Sequence, residues 1–124
     1  MDGRILIVDD EQDIVEAIAN TLALEGYATL RANRGYDGVN LALNEQPDLV
    51  ILDVKMPVMD GMDTLQEMRR QGFTKPVIII SGHGDVKTAV EAVRLGAFDF
   101  LEKPLSQNGL LIAGQNALQA STRG

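Results

Sequence analysis

The feature that most constrains the fold is a five-fold alternation of short apolar runs with amphipathic stretches. The runs occupy positions 4–8, 28–32, 49–52, 77–80 and 99–101. Two of them, "LVIL" at 49–52 and "VIII" at 77–80, are aliphatic without a break. A strand with one wet face alternates apolar and polar residues. An unbroken run instead suits a central strand of a parallel sheet, which helices cover on both faces. Strand-like and helix-like segments alternating through brief connectors predict an α/β domain with a parallel sheet. The second and fifth runs are more mixed and are expected toward the edges.

The intervening segments carry helix punctuation. In "QDIVEAIANTLALEG", Ile14, Ile18 and Leu22 share one helical stripe, and Gly26 is a suitable left-handed stop. Asp60 is placed to cap a helix running to about Gln71, and Asp85 one running to about Leu95, with Gly72 and Gly96 where stops belong. A last helix follows Pro104, capped by Ser106, and contains Gly109 and Gly114. Each interior glycine costs about 0.5 to 1 kcal/mol relative to alanine, so this helix is expected to be the least stable.

A length of 124 residues suits one domain, taken as 1–124, with enough apolar residues for a core that needs no staples. Cysteine is absent, which excludes a disulfide framework, a thiolate nucleophile and cysteine-ligated zinc. No apolar run approaches a membrane span and no signal segment leads the chain, so a cytoplasmic protein without membrane contact is expected. Eighteen acidic against eleven basic residues give a formal charge of -7, which argues against direct nucleic-acid binding.

The polar residues fall in a pattern of their own. The first run ends in Asp9 and Asp10, the third in Asp53 and the fourth in Ser81, and Lys103 follows the fifth. All lie at carboxyl ends of strands, the rim where open parallel sheets bind ligands. If the first and third strands are neighbours, as in the 2-1-3-4-5 order of flavodoxin-like folds, three carboxylates converge in one crevice. Close anions resist ionising unless a cation compensates. A hard divalent ion with oxygen ligands does so, and Mg2+, which keeps several waters, suits an open rim. Any one of these acids taken alone is as readily a turn or cap residue. Their coincidence with a hydroxyl and a lysine points to phosphoryl transfer. A carboxylate can take the phosphoryl group as nucleophile, while the cation, Lys103 and the Ser81 hydroxyl hold its oxygens. Asp53, at the tip of a rigid central strand, is the best-placed nucleophile.

At these same residues, "ILIVDDE", "PDLVILDVKMPVMDGM", "PVIIISGHGD" and "GAFDFLEKPL" resemble a bacterial response-regulator receiver domain over essentially the whole chain. The resemblance implies a flavodoxin-like (βα)5 fold, with Asp53 as phospho-acceptor and Asp9 and Asp10 as the Mg2+-binding acidic pair. It implies that Lys55 completes the metal site through its backbone carbonyl. By the same likeness Ser81 is the switch hydroxyl, Lys103 the phosphate-contacting lysine, Phe100 the switch aromatic and Lys103-Pro104 a cis peptide. It further implies a sensor histidine kinase as donor and a phosphorylation-biased face built from the fourth helix, fifth strand and fifth helix, which serves a homodimer or an effector domain. Such a domain is not a turnover enzyme, although it takes part in its own phosphorylation and slow dephosphorylation. The run "SGHGDVKTAVEAVRLGAFDFLEKPL" is similar to receivers of enhancer-binding, nitrogen-regulation-type transcription activators, whose effectors comprise an ATPase and a DNA-binding domain.

Smaller signals accompany these. Lys55 and His83 each stand two positions beyond a site residue, where they overhang the rim or are simply solvated. "GHGD" lacks the G-x-G-x-x-G spacing of a phosphate cradle and reads as a hinge. Met56, Met59 and Met62 suit either an adaptable contact surface or loop packing. Alternation puts Phe98 and Phe100 on one face of the fifth strand and Asp99 and Leu101 on the other.

Three rival readings remain. A haloacid-dehalogenase-like phosphatase shares the aspartate nucleophile and Mg2+, but requires a second aspartate two residues after the first, where this chain has Glu11. A flavin-binding module needs a phosphate loop where Asp9 and Asp10 stand. An interaction module that takes no phosphate leaves the polar set without a purpose.

Overall fold

The aliphatic runs form the sheet. The computed structural model describes residues 3–82 and 86–123. Its elements are β1 (Arg4–Val8), α1 (Gln12–Leu24), β2 (Ala28–Ala32), α2 (Gly35–Glu45), β3 (Leu49–Asp53), α3 (Gly61–Arg70), β4 (Val77–Ser81), α4 (Val86–Arg94), β5 (Asp99–Glu102) and α5 (Gln107–Arg123). All strand pairs are parallel in the order β2-β1-β3-β4-β5, so the mixed runs are the edge strands as expected.

Every residue of β3 and β4 is buried, which explains their unbroken aliphatic composition. Successive side chains enter different cores. Ile5, Ile7, Ile51, Ile78 and Ile80 pack with Val15, Ile18 and Leu22 of α1 and Leu110 and Ala117 of α5. Leu6, Val8, Val50, Leu52 and Ile79 pack on the opposite face with Val39 of α2, Leu65 and Met68 of α3 and Ala92 of α4. Each such aliphatic side chain contributes about 1.5–3 kcal/mol on burial. Truncating Ile51 to alanine should cost about 2–5 kcal/mol, because the central strand cannot collapse to fill the void.

The helix punctuation is largely met. Asp60 Oδ1 accepts from Asp63 N at 2.8 Å, and Ser106 Oγ accepts from Gly109 N at 2.9 Å. Gly26, Gly72 and Gly96 follow α1, α3 and α4 with φ of 88°, 95° and 93°, which explains why glycine stands at each stop. The expected cap Asp85 lies outside the described residues, as do His83 and Gly84 of the expected hinge.

Sequence reading set no bounds for α2, and its ends explain why. Arg34, at its amino end, makes no side-chain cap, and Gln46 closes it with φ 48° in place of glycine. The helix is instead fixed from its flank. A Cβ on Gly38 would come within 2.9 Å of Val8, and one on Gly35 within 2.4 Å of the Thr64 hydroxyl of α3.

Candidate functional site

The order of strands puts β1 between β2 and β3, so the residues that end β1 and β3 share one crevice. Asp9 follows β1 fully buried, its N–H donating to Ala32 O at 3.1 Å across the sheet. Asp53 is the last residue of β3 and 2% exposed. Asp10 is half-buried beside them. One carboxylate oxygen from each of Asp9, Asp10 and Asp53 lies within 4.8 Å of the other two.

Lys103 enters this crevice from beyond β5. Its Nζ is 2.9 Å from Asp53 Oδ1 and 3.4 Å from Asp9 Oδ2. Its backbone N–H donates to Ser81 O at 2.7 Å, which joins the ends of β4 and β5. The next peptide, Lys103-Pro104, is cis, as expected. Ser81 is the buried last residue of β4. Asp53 pairs with Ile80 in the register, so Ser81 stands one step outward beside it.

The electrostatics are those of an under-neutralised acid cluster. Burial, with help from the charges of Asp9 and Asp10, pushes Asp53 up to about 6 against the pull of Lys103. Burial also raises Asp9 above the usual carboxylate range, although Glu11 N and Lys103 pull it down. Partial burial lowers the affinity of Lys103 for its proton, but its bond to Asp53 and the charges of Asp53 and Asp9 outweigh this and hold the pKa above its ordinary value. Lys103 thus contacts two of the three carboxylates.

The donor set fits a hard divalent ion. Asp9 Oδ1 accepts from Glu11 N at 2.9 Å, whereas Asp9 Oδ2 is buried without a hydrogen bond. The 3.4 Å approach of Lys103 to that oxygen is an ion pair lacking hydrogen-bond alignment, so a lone pair remains for another partner. Buried polar atoms rarely go unsatisfied. Oxygen-only donors from three carboxylates match the requirements of Mg2+.

The loop after β3 shapes the other wall. Lys55 is exposed, while Met56 is buried against the α2–α3 side with Met59 and Met62 beside it, so loop packing accounts for these methionines. Gly61, which sequence reading passed over, holds the loop shut. Its N–H donates to Val54 O at 2.8 Å, and a Cβ there would lie 2.2 Å from Asp53 O. The available signal was a glycine directly after the Asp60 cap, inside the first turn of a helix.

On the far side of the rim, Phe100 packs part-buried against the α2–α4 core, and Leu101 against the α1–α5 core. Phe98, just before β5, is 42% exposed. With Val86, Val90 and Val93 exposed on α4, it leaves this side of the molecule apolar.

The family model for the response regulator receiver domain matches residues 5–114. Regulatory protein AtoC of Escherichia coli (strain K12) is 43% identical over 117 residues, covering 94% of this chain and 25% of that protein. A crystal structure of NtrX from Brucella abortus superposes with a TM-score of 0.93 at 38% identity, over 99% of this chain and 28% of that one. A receiver domain protein from Clostridium thermocellum gives 0.89 at 37% identity, over 97% of each chain. The chain therefore spans about a quarter of the length of AtoC, and no described helix is long and apolar enough to cross a membrane. With the flavodoxin-like order of strands and the acidic crevice already in place, the match is complete in kind: the chain belongs to the receiver domains of two-component response regulators.

Proposed function

We propose that residues 1–124 form a single receiver domain that accepts a phosphoryl group on Asp53 from a sensor histidine kinase and passes the signal to a transcriptional effector. The observation that carries this reading is the 2.9 Å contact between Lys103 Nζ and Asp53 Oδ1 inside a cluster of three carboxylates. Asp9, Asp10 and Asp53, with the backbone carbonyl of Lys55, would hold Mg2+. When bound, this ion neutralises the crevice and stabilises the charge on the transferred phosphoryl oxygens.

In the transfer, a carboxylate oxygen of Asp53 attacks phosphorus. The new bond is an acyl phosphate, and the bond from phosphorus to the donor breaks, its electron pair leaving with the donor. Lys103 shifts from Asp53 to a phosphoryl oxygen, and its fixed charge favours the transition state over the free carboxylate. The Ser81 hydroxyl donates to another oxygen. Water then attacks phosphorus, the acyl phosphate bond breaks, and inorganic phosphate leaves the free Asp53 carboxylate; this step is slow, so the domain is a switch and not a turnover enzyme.

Ser81 and Phe100 translate the chemistry into shape. As Ser81 moves toward the phosphoryl group, space opens for Phe100 to turn inward, which biases two arrangements of the α4-β5-α5 face. The exposed valines of α4 and Phe98 support an apolar contact there, with a second copy or with an ATPase and DNA-binding effector. A bias on the order of several kcal/mol suffices to carry the population from mostly off to mostly on. The protein is assigned to the cytoplasm, with no direct nucleic-acid or membrane contact of its own.

Incubation with acetyl phosphate and Mg2+, followed by intact mass, tests the reading. One added phosphoryl group, lost in Asp53→Asn, is expected. Continuous release of inorganic phosphate with Asp9 as essential nucleophile would instead favour the phosphatase.

A further inference from the structure

At the pole opposite the aspartates, an open pocket of about 520 Å3 lies between the amino ends of β4 and β5 and the end of α5. Arg69, Lys75, Pro76, Phe98 and Ser121 are among its lining residues. A volume of this size suits a small ligand.

Its electrostatics are unusual for a chain of net charge -7. Arg4, Arg31, Arg70 and Arg94 each pair with a glutamate. Arg69, half-buried, has no carboxylate partner among the described residues. Its Nη1 donates to Phe73 O at 2.8 Å and Lys75 O at 2.9 Å, and its Nη2 reaches Gly96 O at 3.4 Å. A guanidinium carries five N–H donors, and these contacts account for three of them. Lys75 Nζ contacts only a carbonyl, Ser121 O, at 3.3 Å among the described residues. Carbonyls accept from these side chains without neutralising the charge of either. Two cations held by neutral acceptors match a dianion, and Phe98 and Pro76 supply an apolar wall beside them.

We propose that this cavity binds a small phosphate monoester, its phosphate between Arg69 and Lys75 and a planar apolar part against Phe98. Such a ligand would act next to Gly96 and Ala97, the link from α4 to β5, and so at the root of the face proposed to switch. Occupancy of this pocket does not require phosphorylation at Asp53, which lies at the opposite pole.

The test is an amide NMR titration of the full chain in Mg2+-free buffer with phenyl phosphate and, separately, inorganic phosphate. Saturable shifts at Gly96, Ala97 and Phe98 are expected, with phenyl phosphate the tighter. Lys75→Gln should weaken binding about tenfold, the order expected for one charge-assisted hydrogen bond. Because Arg69 also ties two loops, Lys75→Gln is the deciding variant. Absent shifts at these amides, shifts confined to the rim near Gly82 and Lys103, equal affinity for the two probes, or unchanged affinity in Lys75→Gln would each overturn the proposal.

Discussion

Gly61 lies directly beneath Asp53: a Cβ on Gly61 would sit 2.2 Å from the Asp53 carbonyl oxygen and 2.8 Å from Val54 Cα. Both obstacles are backbone, so neither can swing aside. Gly61→Ala should therefore cost about 2 kcal/mol or more, through displacement of the β3 tip. Urea denaturation measures the cost, and the rate of phosphorylation by acetyl phosphate should fall with it. Full stability and rate in the variant would show that the loop has room to give.

Asp53 supplies a pH dependence. Its pKa in the folded state is raised from an ordinary value of 3.8 to about 6, chiefly by burial. The unfolded chain gives up this proton first, so the contribution of Asp53 to stability is fully present below pH 4 and is lost as pH rises from about 4 through 6. A shift of this size corresponds to ~2–3 kcal/mol by pH 7 in Mg2+-free solution. Asp53→Asn should remove most of the decline, offset in part by loss of the bond to Lys103. Added Mg2+ should recover stability in the parent and much less in the variant. Denaturation midpoints at pH 4.5 and 7, with and without Mg2+, check both arms.

The two glycines of α5 separate in effect. A Cβ on Gly114 meets only Leu49 Cδ2, at 4.0 Å. Gly114→Ala should then stabilise by about 0.5–1 kcal/mol. At Gly109 the added carbon would stand 2.7 Å from Ser106 Oγ, the atom that caps its own N–H. Gly109→Ala should lose that gain to the displaced cap, worth about 1 kcal/mol. Thermal midpoints of the two variants should differ in sign or clearly in size.

Val58 holds a strained turn. It has φ 70° and is 88% exposed, and Met59 N donates to Pro57 O across it at 2.8 Å. This is a three-residue turn of the positive-φ kind, costly for a β-branched residue that contributes no packing in return. Val58→Gly should stabilise the domain by about 1 kcal/mol despite the added freedom of the unfolded chain. A lower denaturation midpoint would contradict the assignment of strain.

Residues whose role follows from chain-local chemistry were readable in advance. Ile51 and Ile79 announce central strands by lying in unbroken aliphatic runs, and Asp60 and Ser106 announce helix starts by their short polar side chains. The site was readable because parallel strands all point one way, so acids ending β1 and β3 must share an edge once these strands are neighbours. What escaped depends on contacts between distant segments. Gly35 and Gly38 look like poor helix residues until Thr64 and Val8 are seen against them. Gly61 looks like part of a cap until Asp53 is above it. Arg69 reads as one more surface charge on α3, and only the fold brings the carbonyls of Phe73, Lys75 and Gly96 around it. Pattern alone carries no information on such pairings.

Asp53, and no other acid of the cluster, is proposed to receive the phosphoryl group. Borohydride reduces an aspartyl phosphate to homoserine, so the phosphorylated protein can be reduced, digested and sequenced by tandem mass spectrometry. Homoserine is expected at position 53 alone, formed only when Mg2+ and the phosphodonor are both present. Homoserine at position 9 or 10, or no conversion at 53 in protein that has gained the phosphoryl mass, would contradict it.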